Sequence, residues 1–354
     1  MVGRDNFIDY LYLDTSMARK KSSYRTMKKI EPAVQTFLVN TPVAASGTTS
    51  TSYIDLSQIA SLLNRRFYRQ GINWAVSGMK VFTTVSSTIT VSKLPETWIM
   101  SNSWEKSFRV WQRLNNEAMS ESESIRPRFL DFKIYADSQH HQLGYGANLL
   151  PTNVLGGSVM QPGEWESSKM VLPKTDGTDD VNSREFIAVG ASYPGPGAST
   201  LNAVSLIEGY AASRGLPAVM DPNTPTDSRD AAGTAPENWM QAVFNEGTEQ
   251  DDAVITDLTS ENNIAPYPFE NDGVNIDTMY PNGANQFSGL QLHDFETITG
   301  TTIGGITRIK GGMFPCGLIR IDHTPEGTSS NLAIQIDLVP GNHRGYLCEK
   351  MTEM

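Results

Sequence analysis

The sequence predicts an all-β protein. Its 29 glycines and 19 prolines are spread along the chain, as many short strands joined by turns require. Segments rich in β-branched and aromatic residues recur from residue 33 to residue 340. With 354 residues, 39% hydrophobic and 19% charged, the chain can bury a large core without disulfide or metal staples.

The first thirty residues stand apart. Residues 1–16 read as a disordered lead before Met17, which opens "MARKKSSYRTMKK" in the manner of a natural start. Residues 17–30 carry Arg19, Lys20, Lys21, Arg25, Lys28 and Lys29 and no acid, although the whole chain has a net charge of −11. Such an arm suits polyanions, because Lys and Arg that neutralise phosphates release condensed counterions. The Lys20-Lys21 and Lys28-Lys29 pairs are also compatible with nuclear import. Balancing the arm is a strongly acidic stretch over residues 171–280.

Strands are expected at 33–41, 73–85, 87–94 and 128–136, the last with Phe129, Asp131, Lys133 and Tyr135 on one face. Weaker strand patterns cover 164–172 and 185–192. Stronger ones return at 289–298, 302–312, 317–324 and 331–340. Between them, "NSWEKSFRVWQRLNNEAM" (102–119) predicts a helix opened by Asn102 and Glu105 in capping-box spacing. Trp104, Phe108, Trp111 and Leu114 should face the core, leaving Lys106, Arg109 and Arg113 on a solvated face. Residues 191–287 change character: loops, a helix at 202–215 and two further short helices predict a long insertion between two strands of a domain spanning 31–354.

The chemistry search excludes several classes. No phosphate-binding loop, dinucleotide fingerprint, His-Glu-x-x-His or nucleophile elbow occurs. Cys316 and Cys348 fit neither a disulfide framework nor a zinc knuckle, so a reducing compartment is expected, with Cys316 a buried small side chain. His140, His141, His293, His323 and His343 could approach a metal, yet adjacent residues on a strand point to opposite faces. The expectation is no catalytic residue, no metal and no cofactor. No apolar run reaches membrane-spanning length, so a soluble protein without a membrane partner is expected.

Several blocks carry a family resemblance: "RPRFLDFKIYADSQHH", "FIAVGASYPG", "LNAVSLIEGYAASRGLP", "NQFSGLQLHDFETITGTTIGG", "KGGMFPCGLIRID" and "LVPGNHRGYLCEKMTEM". From about residue 30 onward the chain resembles capsid proteins of circular, replication-initiator-encoding single-stranded DNA viruses of environmental lineages. The resemblance implies a single jelly roll of two facing antiparallel sheets that self-assembles around circular single-stranded DNA. The shell would be small and icosahedral, with roughly 60 copies in the smallest lattice. It also implies a location in the virion, with the host nucleus as an assembly site, and an arm that binds DNA. Related arms are often longer and richer in arginine. Two other readings are a carbohydrate-binding β-sandwich using Trp98, Trp165 or Trp239, and a hydrolase using paired acids from 171–280.

Overall fold

The computed structural model describes residues 31–127, 129–153, 157–173, 181–214, 253, 289–299 and 305–354. The chain is mostly β. Its first four strands are β1 (Thr36–Asn40), β2 (Ser50–Asp55), β3 (Ile72–Phe82) and β4 (Ser87–Lys93), with helix α1 (Leu56–Asn64) between β2 and β3. Four more strands return after a long excursion: β9 (Gln291–Ile298), β10 (Ile306–Phe314), β11 (Leu318–Pro325) and β12 (Ala333–Leu338).

These eight strands pair as one antiparallel ribbon. β1 pairs with β12, β2 with β11, β3 with β10 and β4 with β9. The ribbon folds over itself, so β12 also pairs with β3 and β11 with β4. Two sheets result, with orders β10-β3-β12-β1 and β2-β11-β4-β9. A short strand β5 (Pro151–Thr152) extends the first sheet beside β1.

Both sheets turn one face to a shared core. Phe37, Val39, Met79, Val81, Ile334 and Ile336 come from the first; Ile54, Ile89, Val91, Ile319 and Ile321 come from the second. Along β3 the buried positions change parity, from Trp74 and Val76 to Met79 and Val81. The register against β12 shifts at Asp337/Leu338, and this bulge turns both halves of β3 toward the core.

The excursion from Leu94 to Leu290 starts well before residue 191. It carries α2 (Trp98–Ser120), α3 (Ser138–Leu143), β6 (Lys169–Pro173), β7 (Val181–Ile187), β8 (Asn202–Ser205) and α4 (Leu206–Arg214). β6, β7 and β8 form a separate sheet whose β7–β8 pair is parallel. Most of the insertion expected at 191–287 lies outside the described residues, as does the whole arm, 1–30. A second apolar cluster unites α2, β7 and the end of the sandwich through Trp104, Trp111, Phe132, Phe186, Leu206 and Leu318.

Three local expectations change. Helix α2 starts at Trp98, not at 102, because the side chain of Thr97 accepts from the Met100 N–H and Pro95 blocks any earlier start. Residues 129–136 run extended but join no ladder beyond the parallel bridge Tyr135–Ile187. Their buried face is Phe132, Ile134 and Ala136. Residues 202–205 are a strand where a helix was expected, and the helix begins only at Leu206.

At the C-terminus β13 (Pro340–Gly341) and β14 (Gly345–Tyr346) form a hairpin, and β15 (Cys348–Lys350) pairs with β3. Met351 is fully buried among the second cluster's residues, and its carbonyl accepts from Ser101 Oγ at 2.7 Å. Changing Met351 to Ala should cost about 3 kcal/mol in urea unfolding through the cavity it leaves. An unchanged unfolding midpoint would show that the tail adds nothing to the core.

Candidate functional site

Where the excursion meets the sandwich, polar side chains are buried in a connected set. Asp55 ends β2 and caps α1, its Oδ1 accepting from the N–H groups of Ser57 (2.9 Å) and Gln58 (3.2 Å). Its Oδ2 accepts from Gln70 Nε2 (3.1 Å) and Trp165 Nε1 (2.9 Å). Burial pushes the Asp55 carboxyl up, and these four donors and the Ser57 hydroxyl oppose the shift. Gln70 also donates to the Ile134 carbonyl (3.1 Å) and accepts from the Ile134 N–H (2.7 Å). One side-chain amide thus supplies the partners that a neighbouring strand would otherwise give to the segment 129–136.

A second carboxylate repeats the device. Asp137 caps α3 by accepting from the His140 N–H (2.8 Å). It also accepts from the Tyr53 hydroxyl (2.6 Å) and pairs with Arg320 Nη1 (2.9 Å). Arg320 reaches Asp322 as well (3.0 Å), so one guanidinium of β11 joins two carboxylates. His140 stacks on Tyr53 with ring centroids 4.3 Å apart. Its Nδ1 accepts from the Ala136 N–H, so the proton sits on Nε2 and is donated to Asn148 Oδ1 (2.9 Å). Burial lowers the His140 pKa to about 4.

The neighbouring imidazole is equally sealed. His141 Nε2 lies 2.9 Å from Glu185 Oε2, with side-chain exposures of 0% and 2%. Ser167 (2.5 Å) and Ser199 (2.8 Å) both donate to the Glu185 carboxylate. Burial pushes that carboxyl up, but the hydrogen bonds from His141 and the two serines outweigh it and hold it below the usual range. Both hydroxyls donate to the carboxylate and not to the imidazole. The arrangement ties β7 and the 197–199 turn to α3.

The adjacent histidines therefore do not point to opposite faces as they would on a strand. They occupy one helical turn and are both buried. Among the described residues no group of three or more His, Cys, Asp or Glu side chains is placed to hold a metal ion. His293 Nε2 donates to the Lys310 carbonyl (2.9 Å), and His323 sits wholly buried on β11. Cys316 is buried with φ 55°, and both cysteines are free.

The arm residues Arg19, Lys20, Lys21, Arg25, Lys28 and Lys29 lie outside the described residues. The alternative basic stripe on α2 is exposed, but Arg109 pairs with Glu105 and Arg113 with Glu117 (2.8 Å). Lys106 Nζ rests 5.8 Å from the Tyr210 ring centroid. Trp98 and Trp165 pack at helix and network positions, and Trp239 lies outside the described residues. Arg65, Arg66 and Arg69 flank Phe67 in the chain: Arg69 lies over its ring, and Arg66 pairs at 3.0 Å with Glu31, where the described residues begin.

Two outcomes follow from the buried network. His140, His293, His323 and His343 are all held below the ordinary imidazole pKa by burial. Unfolding therefore takes up protons, and stability should fall as pH drops below 6.5 toward the folded values. His140 alone should account for about 3 kcal/mol by pH 4. Urea midpoints measured between pH 7 and 4.5 should show this slope, and His140→Gln should flatten it; an equal slope in that variant would refute the assignment. Arg320→Ala should cost about 3 kcal/mol, because it leaves Asp137 and Asp322 partly buried without their cation.

Comparison with protein-family models, curated proteins and solved structures gives no match for this chain.

Proposed function

We propose that this chain is a structural capsid protein: a single jelly roll whose copies assemble into a small icosahedral shell around circular single-stranded DNA. The observation that carries the reading is the pairing order. Numbering the eight sandwich strands from one to eight, the sheets read 1-8-3-6 and 2-7-4-5. A long antiparallel ribbon rolled over itself gives this order, with two Greek keys closing a double sheet. The family resemblance of the sequence and the basic segment before residue 31 support the same reading.

In this proposal the segment 17–30 faces the genome inside the shell, and the acidic stretch 171–280 lies toward the outside, where it does not compete with DNA. The buried Asp137–Arg320 tie fixes the excursion to the sandwich and the His141–Glu185 tie braces the excursion itself, so that a rigid surface is offered to neighbouring copies. The protein's place is then the virion, with assembly in the host nucleus.

The purified protein should form uniform multi-copy particles by negative-stain imaging and size-exclusion chromatography. A strictly monomeric protein across assembly conditions would sink the proposal. If all six arm bases engage phosphates, single-strand binding should have a log–log salt slope of about −4. Between 50 and 200 mM salt that is a loss of roughly 250-fold in affinity. Changing Arg19, Lys20, Lys21, Arg25, Lys28 and Lys29 to Ala should flatten the slope and give empty or unstable particles. The thermal melt of the subunit should stay where it was.

A further inference from the structure

We propose that a second single-stranded nucleic-acid site lies on the folded domain itself, centred on Phe67 and Phe129. It rests on the capsid reading only for the source of the polynucleotide. Phe67 and Phe129 sit 5.2 Å apart by ring centroid, and Phe129 is 58% exposed. Arg69 Cζ lies 5.6 Å from the Phe67 centroid and Lys133 Nζ 5.9 Å from it. From the far end of the sequence, Arg344 Nη1 donates to the Phe67 carbonyl. Arg65, exposed and with φ 52°, and Arg66 complete the rim at the end of α1.

The charge balance at this place is one-sided. The acids that touch it among the described residues are Glu31, on Arg66, and Asp131, whose side chain is 3% exposed and lies 3.8 Å from Lys133. Exposed guanidinium groups of Arg69 and Arg344 therefore reach Phe67, and exposed Arg65 and Arg66 precede it in the chain. In the sequence the arm's last lysine, Lys29, precedes Glu31 by two positions. Arg126 and Arg128 add two further bases in the sequence just before Phe129.

A single strand matches these groups better than a duplex does. Its phosphates can take the guanidinium groups, while an unstacked base can lie on the exposed ring of Phe129. A duplex keeps its bases stacked inside and offers the ring nothing. Sequence preference is not expected, because every base has a flat face and phosphates are uniform.

The test uses the full chain with the six arm bases changed to Gln, so that the arm's own binding is removed. Fluorescence anisotropy would follow a labelled oligothymidine of about 20 nucleotides and a duplex of equal length. The single strand should still bind, with a salt slope of about −3 from four phosphate contacts, and should bind more tightly than the duplex. Adding Phe129→Ala should weaken binding about tenfold and leave the slope alone. Phe129→Trp should hold or strengthen it. Arg65→Gln with Arg66→Gln should reduce the slope by about 1.4. No binding by the arm-neutralised chain, or affinity unmoved by both Phe129 variants, overturns the site. A change in sedimentation without a change in DNA affinity also overturns it, making the patch a contact between copies. Particle formation is scored separately by negative stain. Oligothymidine binding at the patch without particles would defeat the capsid reading alone, and particles with a silent patch would defeat this inference alone.

Discussion

Strand β3 carries the heaviest demand in the molecule. One of its edges pairs with β10 from Trp74 to Phe82, and the other edge is shared by β12 and β15. It also sends Trp74, Val76, Met79 and Val81 into the core, across a bulge that corrects the parity between its halves. Gly311 on β10 shows how closely the strands approach, since a Cβ there would lie 2.3 Å from the Ser77 carbonyl oxygen. With β3 held on both edges, β1 and β2 take their long partners from the returning strands β12 and β11. The turn of the ribbon, between β4 and β9, is then left as the place where a long excursion disturbs no ladder.

That excursion returns to the sandwich through polar groups as much as through apolar ones. Asp55 and Asp137 each cap a helix and each bind distant segments, Asp55 through Gln70 and Trp165, Asp137 through Tyr53 and Arg320. Buried carboxylates are costly unless every oxygen finds donors, and here both do. A purely apolar contact would tolerate sliding between the layers. A set of directed hydrogen bonds admits one arrangement.

Much of the sandwich was legible in the sequence. "STITVSKL", "GLIRIDHT" and "NLAIQIDLVP" alternate with period two; β4 and β12 lie inside the first and third, and β11 runs one residue past the second, to Pro325. Strand β2 and α1 were missed because the strand is short and runs directly into Asp55, which serves as its last residue and as the helix cap. The segment 129–136 misled because it alternates like a strand, yet its partners are the side chains of Gln70 and Ser168. The two buried histidines of α3 read as strand neighbours, since a six-residue helix gives no periodicity. Around Phe67 the sequence shows only that Arg65, Arg66 and Arg69 fall within five positions. Arg344, far along the chain, joins them only through the β13–β14 hairpin, which no local pattern announces.

The pairing of β1 with β12 also sets an order of events during synthesis. No two of β1, β2, β3 and β4 pair with each other, and the one neighbour that any of them finds before β9 is the two-residue β5 beside β1. While the ribosome is still making residues 94–290, four strands rich in Val, Ile and aromatic side chains stand exposed without edges to join. The sandwich closes only when residues 333–338 emerge and β12 slots between β1 and β3. Slow closure of such distant contacts leaves nascent chains open to sticking together. A crowded polysome is therefore the stage at which this chain most needs a chaperone.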